Sequence, residues 1–256
     1  MIHSALETSR MRASAIEFRL RVAINTVIIV LGFWAPWIEA WRIGHRITLV
    51  EWLALELSRT GAASFAASTV VMIVVAGLFS FAGATFRVWG TAYLGPSTVN
   101  HMSMVAGRVM ADGPYRFVRN PLYIGLWGMV GGMAFLMPVT GALFAMVLIT
   151  LFMVRLTLGE EAFLSEQLGE SYAAYRNAVP RFIPRLRGAP APSGVQPHWL
   201  RAALAELTPI GIVVAIVVYS RSYDLPVAGR IILIFFGASL VVRAFIPGVV
   251  KAEPAK

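Results

Sequence analysis

The chain has 256 residues, 58% of them hydrophobic and 14% charged, with a formal net charge of +9. A charged fraction so far below the roughly one quarter typical of soluble domains excludes an ordinary water-soluble globule. The absence of cysteine excludes disulfides, thiolate nucleophiles and zinc–thiolate sites, and His3, His45, His101 and His198 are too scattered to form a metal site.

Uncharged stretches mark candidate membrane spans, because about 20 helical residues cross roughly 30 Å of hydrocarbon. Val22 to Ile38 is the first, and with a long polar segment ahead of it and no small-residue cleavage site after it, this run reads as a retained span and not a removed signal. Trp41 to Arg59 mixes apolar and charged residues and reads as an interfacial helix. Thr60 to Phe86 is the second uncharged stretch. Asn120 to Val154 then runs 35 residues without a charge, too long for one straight span. Pro138 and Gly141 predict a turn within it, giving paired spans over 122–137 and 141–157. An amphipathic helix follows to about Asn177, with Leu164, Leu168, Tyr172 and Tyr175 on one stripe. Gly188 to Pro197 has linker composition, and a last apolar pair is expected over 202–220 and 225–245. Glu206, Arg230 and Arg243 intrude there and are expected at helix ends, snorkelling to the interface.

The predicted fold is all-α: a polytopic helical membrane protein of about six transmembrane helices, with a short helix-turn-helix hairpin and a cytoplasmic amphipathic helix. Three regions follow. Residues 1–59 hold the N-terminal segment, first span and interfacial helix; 60–187 carry all the unusual polar sequence; 188–256 hold the linker, apolar hairpin and tail. With the N-terminus placed inside, 17 of the 22 basic residues fall on cytoplasmic segments, as the positive-inside tendency requires. The basic residues flank apolar spans without interleaved exposed aromatics, so anionic lipid headgroups and not nucleic acid account for them. The expected location is an integral membrane one, the inner or plasma membrane if the source is bacterial, with the N-terminus and active site cytoplasmic.

Two polar segments adjoin the central hairpin. The first reads D-G-P-Y-R-F-V-R-N-P-L-Y-I-G from Asp112 to Gly125. Asn120-Pro121 suits Pro121 as the first residue of a helix whose free amides and positive dipole end would attract a carboxylate. Arg116 and Arg119 add to that field, or serve only as positive-inside markers. The second runs from Arg155 through Glu160 and Glu161. Glu160 lies four residues before Leu164, on the buried edge of the stripe, where an acid needs a cationic partner; Glu161, about 100° away, is expected to stay solvated. Both glutamates read equally as ordinary acids of a helix start. A third segment, Val179-Pro-Arg-Phe-Ile-Pro-Arg185, reads as an interfacial anchor or a lid.

In order and spacing, G-P-Y-R-x-x-R-N-P-L-Y at 113–123, E-E at 160–161, L-G-E-S-Y at 168–172 and V-P-R-F-I-P at 179–184 resemble the isoprenylcysteine carboxyl methyltransferase and phospholipid N-methyltransferase superfamily. The resemblance covers roughly residues 100–187. It implies a helical membrane enzyme whose pocket opens to the cytoplasm and takes S-adenosylmethionine, with a lipidic or isoprenoid acceptor entering from the bilayer. Position by position it implies cofactor contacts at Tyr115, Asn120, Pro121, Leu122, Tyr123 and Glu160, and upstream at Asn100, Gly107, Arg108, Val109 and Met110. Glu160, Arg155 and Asn120 are the residues it implies for the reaction. The family's histidine is Asn120 here, which hydrogen-bonds but cannot titrate near neutrality. The family's substrate-holding arginine corresponds to Leu156, with Arg155 adjacent. A carboxylate and aromatic faces suit a sulfonium cation, and in-line methyl transfer asks for approach geometry and exclusion of water more than for proton shuttling. An NADPH-dependent sterol-type reductase of related architecture and a non-enzymatic transporter or scaffold are the competing readings.

Overall fold

The computed structural model describes residues 12–95 and 109–245, apart from the Arg243 side chain. Among the described residues every regular element is helical. Helix α1 (Ala15–Arg19) starts at a reciprocal cap, in which the Ser14 hydroxyl accepts from the Glu17 amide and the Glu17 carboxylate accepts from the Ser14 amide. Helix α2 (Arg21–Trp34) ends at Ala35 in the left-handed region, and α3 (Trp37–Trp41) is a short turn of helix. The expected interfacial helix over 41–59 is shorter than predicted. Its regular part is α4 (Leu49–Arg59), because Thr48 and Glu51 form a second reciprocal cap that fixes the start.

Helix α5 (Phe65–Leu94) begins at the Ser64 cap and ends at Gly95, 30 residues in all and about 45 Å long. It passes well beyond Phe86, carrying Arg87 inside the helix where the sequence reading ended the span. A 3₁₀ turn (Gly113–Arg116) leads to α6 (Pro121–Ala134), and a tight turn joins α6 to α7 (Val139–Ala178). The predicted fourth span and amphipathic helix are therefore one 40-residue element, broken at Gly169, whose φ of 53° and ψ of −127° interrupt the helix. Helices α8 (Trp199–Ala205) and α9 (Leu207–Ser222) meet at a 69° bend, and α10 (Leu225–Phe245) returns alongside α9.

Three helices, α5, α7 and α10, are long and apolar enough to cross a membrane, and the bent pair α8–α9 makes a fourth. The protein is thus an integral membrane protein by its helices. Helices α2 and α6 are apolar but 14 residues long, about 21 Å against roughly 30 Å of hydrocarbon. The expectation of about six spans is compatible with this set.

Close packing joins α5 and α6, where small residues let two backbones touch. A Cβ placed on Gly83 would stand 2.6 Å from the Met129 amide nitrogen, and one on Gly125 would stand 2.8 Å from the Gly83 carbonyl oxygen. At the far end of the hairpin, the α6–α7 turn accepts from the first amides of α4, Leu49 N to Met137 O and Val50 N to Phe135 O, both 2.9 Å. This satisfies amides that a helix start leaves unpaired and pins the turn in place. Ile212, Ala215 and Ile216 of α9 belong to the same core as Val130, Leu136 and Ile149, so the C-terminal helices share the interior of the central hairpin.

One expected feature is corrected. Glu206 does not snorkel: it sits at the α8–α9 bend, 2% exposed, and accepts from Arg87 Nε at 2.6 Å, Arg87 Nη2 at 2.8 Å and the Thr91 hydroxyl at 2.6 Å. Burial of a carboxylate at this bend is tolerable only with such a partner, and α5 supplies it. Arg230, by contrast, is exposed near the start of α10.

Candidate active site

Helices α6 and α7 splay away from their tight turn, and near the start of α6 the space between them and α5 widens into a hollow of about 720 Å³, counting its open mouth. Val109 and Met110, Tyr115 of the 3₁₀ turn, and Asn120, Pro121, Leu122 and Tyr123 at the start of α6 line one side. Glu160, Glu161, Leu164, Leu168, Tyr172 and Tyr175 of α7 line the other, and Leu94 closes the end of α5. Pro121 takes the first helical position, and Asn120 makes no side-chain cap, so the helix start is directed at the hollow without its own acceptor.

Across this space the Tyr123 hydroxyl donates to Glu160 Oε2 at 3.0 Å, joining the two polar segments. Glu160 is half-buried. Tyr115 is 6% exposed, and its hydroxyl is buried without a hydrogen-bond partner. Burial, and next the Glu160 carboxylate, hold that phenol well above its ordinary pKa, so it remains a donor. Its backbone is fixed by the Tyr175 hydroxyl, which donates to the Tyr115 carbonyl at 2.8 Å. An orphaned buried hydroxyl near a half-buried carboxylate is an arrangement that a polar ligand completes.

Glu161 differs from its expectation. It is 6% exposed, not solvated, and accepts from Arg181 Nη2 at 2.7 Å, Arg119 Nε at 3.1 Å and Asn120 Nδ2 at 3.3 Å. Hydrogen bonding to Glu161 raises the Arg181 pKa above its usual value. Arg119 also donates to the Arg176 and Val179 carbonyls, and its amide donates to the Pro180 carbonyl at 2.9 Å. The segment 179–185 is thereby laced to the 117–120 segment, with the Arg185 amide donating to the Phe117 carbonyl at 2.8 Å. Three stretches singled out in the sequence form one ionic knot, and the paired arginines act there as structural cations and not merely as charges facing a membrane surface.

The linker is similarly tied down. Asp112 accepts from the Ser193 hydroxyl, from the Ser193 amide at 2.8 Å and from the Val195 amide at 3.4 Å, while Arg116 Nε donates to the Pro190 carbonyl at 2.7 Å. Desolvation of Asp112 opposes its ionisation, but the hydrogen bonds from Ser193 and the neighbouring amides outweigh it and hold the carboxyl below the ordinary aspartate range.

Of the residues proposed from the sequence, the fold gathers Val109, Met110, Tyr115, Asn120, Pro121, Leu122, Tyr123 and Glu160 around one hollow. Asn100, Gly107 and Arg108 lie outside the described residues. Arg155 does not line the hollow: it pairs with Glu17 at 2.9 Å and reaches the Arg12 carbonyl at 3.3 Å. Leu156 beside it is fully buried under Phe18 and Ala13. The sequence reading omitted Leu94, Arg119, Glu161, Leu164, Leu168, Tyr172 and Tyr175 from the lining. For the last four the signal was present in the apolar stripe, which faces the hollow; for Leu94 no local pattern points there.

Residues 63–171 match the model of the family described as phospholipid methyltransferase. A protein-S-isoprenylcysteine O-methyltransferase of Schizosaccharomyces pombe (strain 972) is 40% identical over 78 residues, 30% of this chain and 33% of that protein, so the chain spans about a third of the length of this relative. No solved structure matches. Most of the hollow's lining, from Leu94 to Leu168, falls inside the stretch that is similar to the phospholipid methyltransferase family.

Proposed function

We propose that the protein transfers a methyl group from S-adenosylmethionine to a carboxylate or amine borne on a lipidic or isoprenoid acceptor. The observation that carries this reading is the Tyr123–Glu160 pair at 3.0 Å inside a hollow lined by tyrosines and opened by a helix start. When bound, the donor supplies an electrophilic methyl group on a sulfonium, and the residues present fit that molecule. Glu160 places a negative charge beside the cation, and Tyr123 and Tyr115 offer ring faces and, in Tyr115, an unpartnered hydroxyl. The open start of α6 suits the donor's carboxylate. Apolar walls at Leu164 and Leu168 keep water away from the reacting atoms. Asn120 orients through the Glu161–Arg181 knot and moves no proton. With Arg155 held by Glu17, we assign neither residue a step in the reaction.

Equilibrium binding of radiolabelled S-adenosylmethionine to the detergent-purified protein, with NADPH as the comparison, tests the donor. Saturable S-adenosylmethionine binding that Glu160→Gln weakens supports the reading. Binding of NADPH alone sinks it in favour of a reductase, and binding of neither returns the protein to a non-enzymatic role. Mass spectrometry of membrane lipids from cells with and without the protein, searching for a product heavier by one methylene, identifies the acceptor.

A further inference from the structure

Helices α5, α8 and α9 enclose a second and larger space, about 1030 Å³ counting its open side, lined by Phe81, Val88, Trp89, Trp199, Ile210 and Val213 among others. Three of those six residues come from outside the stretch that matches the family model. We propose that this groove holds the apolar chain of the methyl acceptor, so that the C-terminal hairpin serves as the chain-binding half of the site; this rests on the methyl-transfer reading above.

Four observations carry the inference. The groove lies wholly on candidate membrane-crossing helices and is open sideways, with Phe81 62% and Val214 37% exposed, so whatever enters comes from hydrocarbon. Its lining offers almost nothing to a polar ligand: the Thr85 hydroxyl is the one side-chain hydroxyl in it and already donates to the Phe81 carbonyl at 2.8 Å. The groove is also held open by a built element. The 69° bend between α8 and α9 falls at Glu206, and the buried Arg87–Glu206–Thr91 cluster fixes that bend against α5. A crevice of no consequence needs no costly ion pair to maintain its shape.

Finally, its tryptophan end reaches the same turn that walls the first hollow. Trp89 packs on Phe117 at 6.1 Å between ring centres, Trp199 meets Tyr93 edge-on at 6.3 Å, and the Tyr93 ring lies against Gly113. Gly90, one residue beyond Trp89, is backed by Leu122 and the Tyr115 hydroxyl. Groove and hollow therefore occupy adjacent faces of the last turns of α5. Tryptophan favours the level at which chain gives way to headgroup, so a chain seated here ends beside the 3₁₀ turn. A chain leaving the bilayer gains no hydrophobic transfer energy; its preference for the groove comes from close packing against rings and branched side chains.

The test uses the full chain in phosphatidylcholine nanodiscs and a farnesyl thioether acid bearing a diazirine at the chain end, with labelled positions mapped by mass spectrometry. Adducts should concentrate on 81–89 and 199–214 and be displaced by excess unlabelled thioether but not by added phosphatidylcholine. Val213→Trp, which fills the groove, should cut labelling roughly fivefold or more, while Val217→Trp on the outward side of α9 should leave it unchanged. S-adenosylmethionine binding should be equal in wild type and both variants, which also reports that they are folded. Adducts spread equally over the exposed face of α10, or indifferent to Val213→Trp, overturn the proposal and leave an ordinary bilayer-facing crevice. Displacement by phosphatidylcholine overturns it in favour of a bulk lipid. Groove labelling without any S-adenosylmethionine binding in the wild type would instead sink the methyl-transfer reading on which the proposal rests.

Discussion

Tyr123 and Glu160 form a direct hydrogen bond between the start of α6 and the Glu-Glu pair of α7, and the charged acceptor makes it a strong one. Removing the hydroxyl with Tyr123→Phe keeps the ring and loses about 1.5–3 kcal/mol of interaction with a charged group. The expected outcome is a lower melting temperature together with weaker donor binding, read by equilibrium binding and a melting curve on the same sample. Glu161→Gln should lower stability while leaving the Tyr123–Glu160 bond in place. It leaves Arg119 and Arg181 without their anion, and with Arg119 8% exposed at its side chain the loss should be about 3 kcal/mol of stability, toward the low end for a broken buried pair because Arg181 stays partly in water. The two adjacent glutamates are thus separated by function through their neighbours. Nothing in the E-E dipeptide itself distinguishes them: helical periodicity placed Glu160 at the edge of the stripe, but the cations that draw Glu161 inward come from residues 42 positions before it and 20 after it.

At the scale of elements, the sequence was legible wherever a local rule decides. The uncharged run 120–154 had to turn, and Pro138 lies in that turn as expected, directly ahead of α7; Asn120-Pro121 opens α6; the Leu164–Tyr175 stripe faces a common apolar neighbour. It was not legible where distant partners decide. Helix α5 continues past Arg87 because Glu206, 119 residues away, neutralises it, and a window of local hydropathy has no access to that partner. The break at Gly169 gave only a weak signal, since a single glycine in an amphipathic helix does not declare its backbone angles. Its consequence is testable. A Cβ there meets nothing within 4 Å, so Gly169→Ala costs only the backbone penalty of a sparsely populated conformation, about 1–3 kcal/mol, or else straightens the helix. Straightening would carry Tyr172 and Tyr175 off the Tyr115 turn, detectable as a rise in proteolysis within residues 170–178.

For the whole molecule, the ties between segments far apart in sequence decide how the site holds together. The loop 188–197 has linker composition, yet it is strapped to Asp112 and Arg116, and the His198 amide donates to the Ala92 carbonyl at 2.9 Å. Because the folded Asp112 pKa is depressed, the strap's contribution is fully present above the ordinary aspartate value, about 3.9, and is lost as pH falls below it toward the folded value. Limited proteolysis should therefore find the loop protected at neutral pH and cut increasingly as the solution is acidified below about pH 4. Ser193→Ala should weaken the strap at neutral pH and reduce that pH dependence. Composition alone offered a flexible spacer; the carboxylate that immobilises it is about eighty residues upstream, which is why no reading of the spacer by itself could find it.

The glycine contact between α5 and α6 bears on how this protein meets membranes of different thickness. Where bulky side chains separate two helices, their spacing can yield as lipids press or stretch the protein, but bare main chains already in touch have no soft filling to give. The distance from the Leu94 end of α5 to Tyr123 of α6 is consequently set by atomic radii, and the jaws of the hollow keep the same gauge in a thin bilayer as in a thick one.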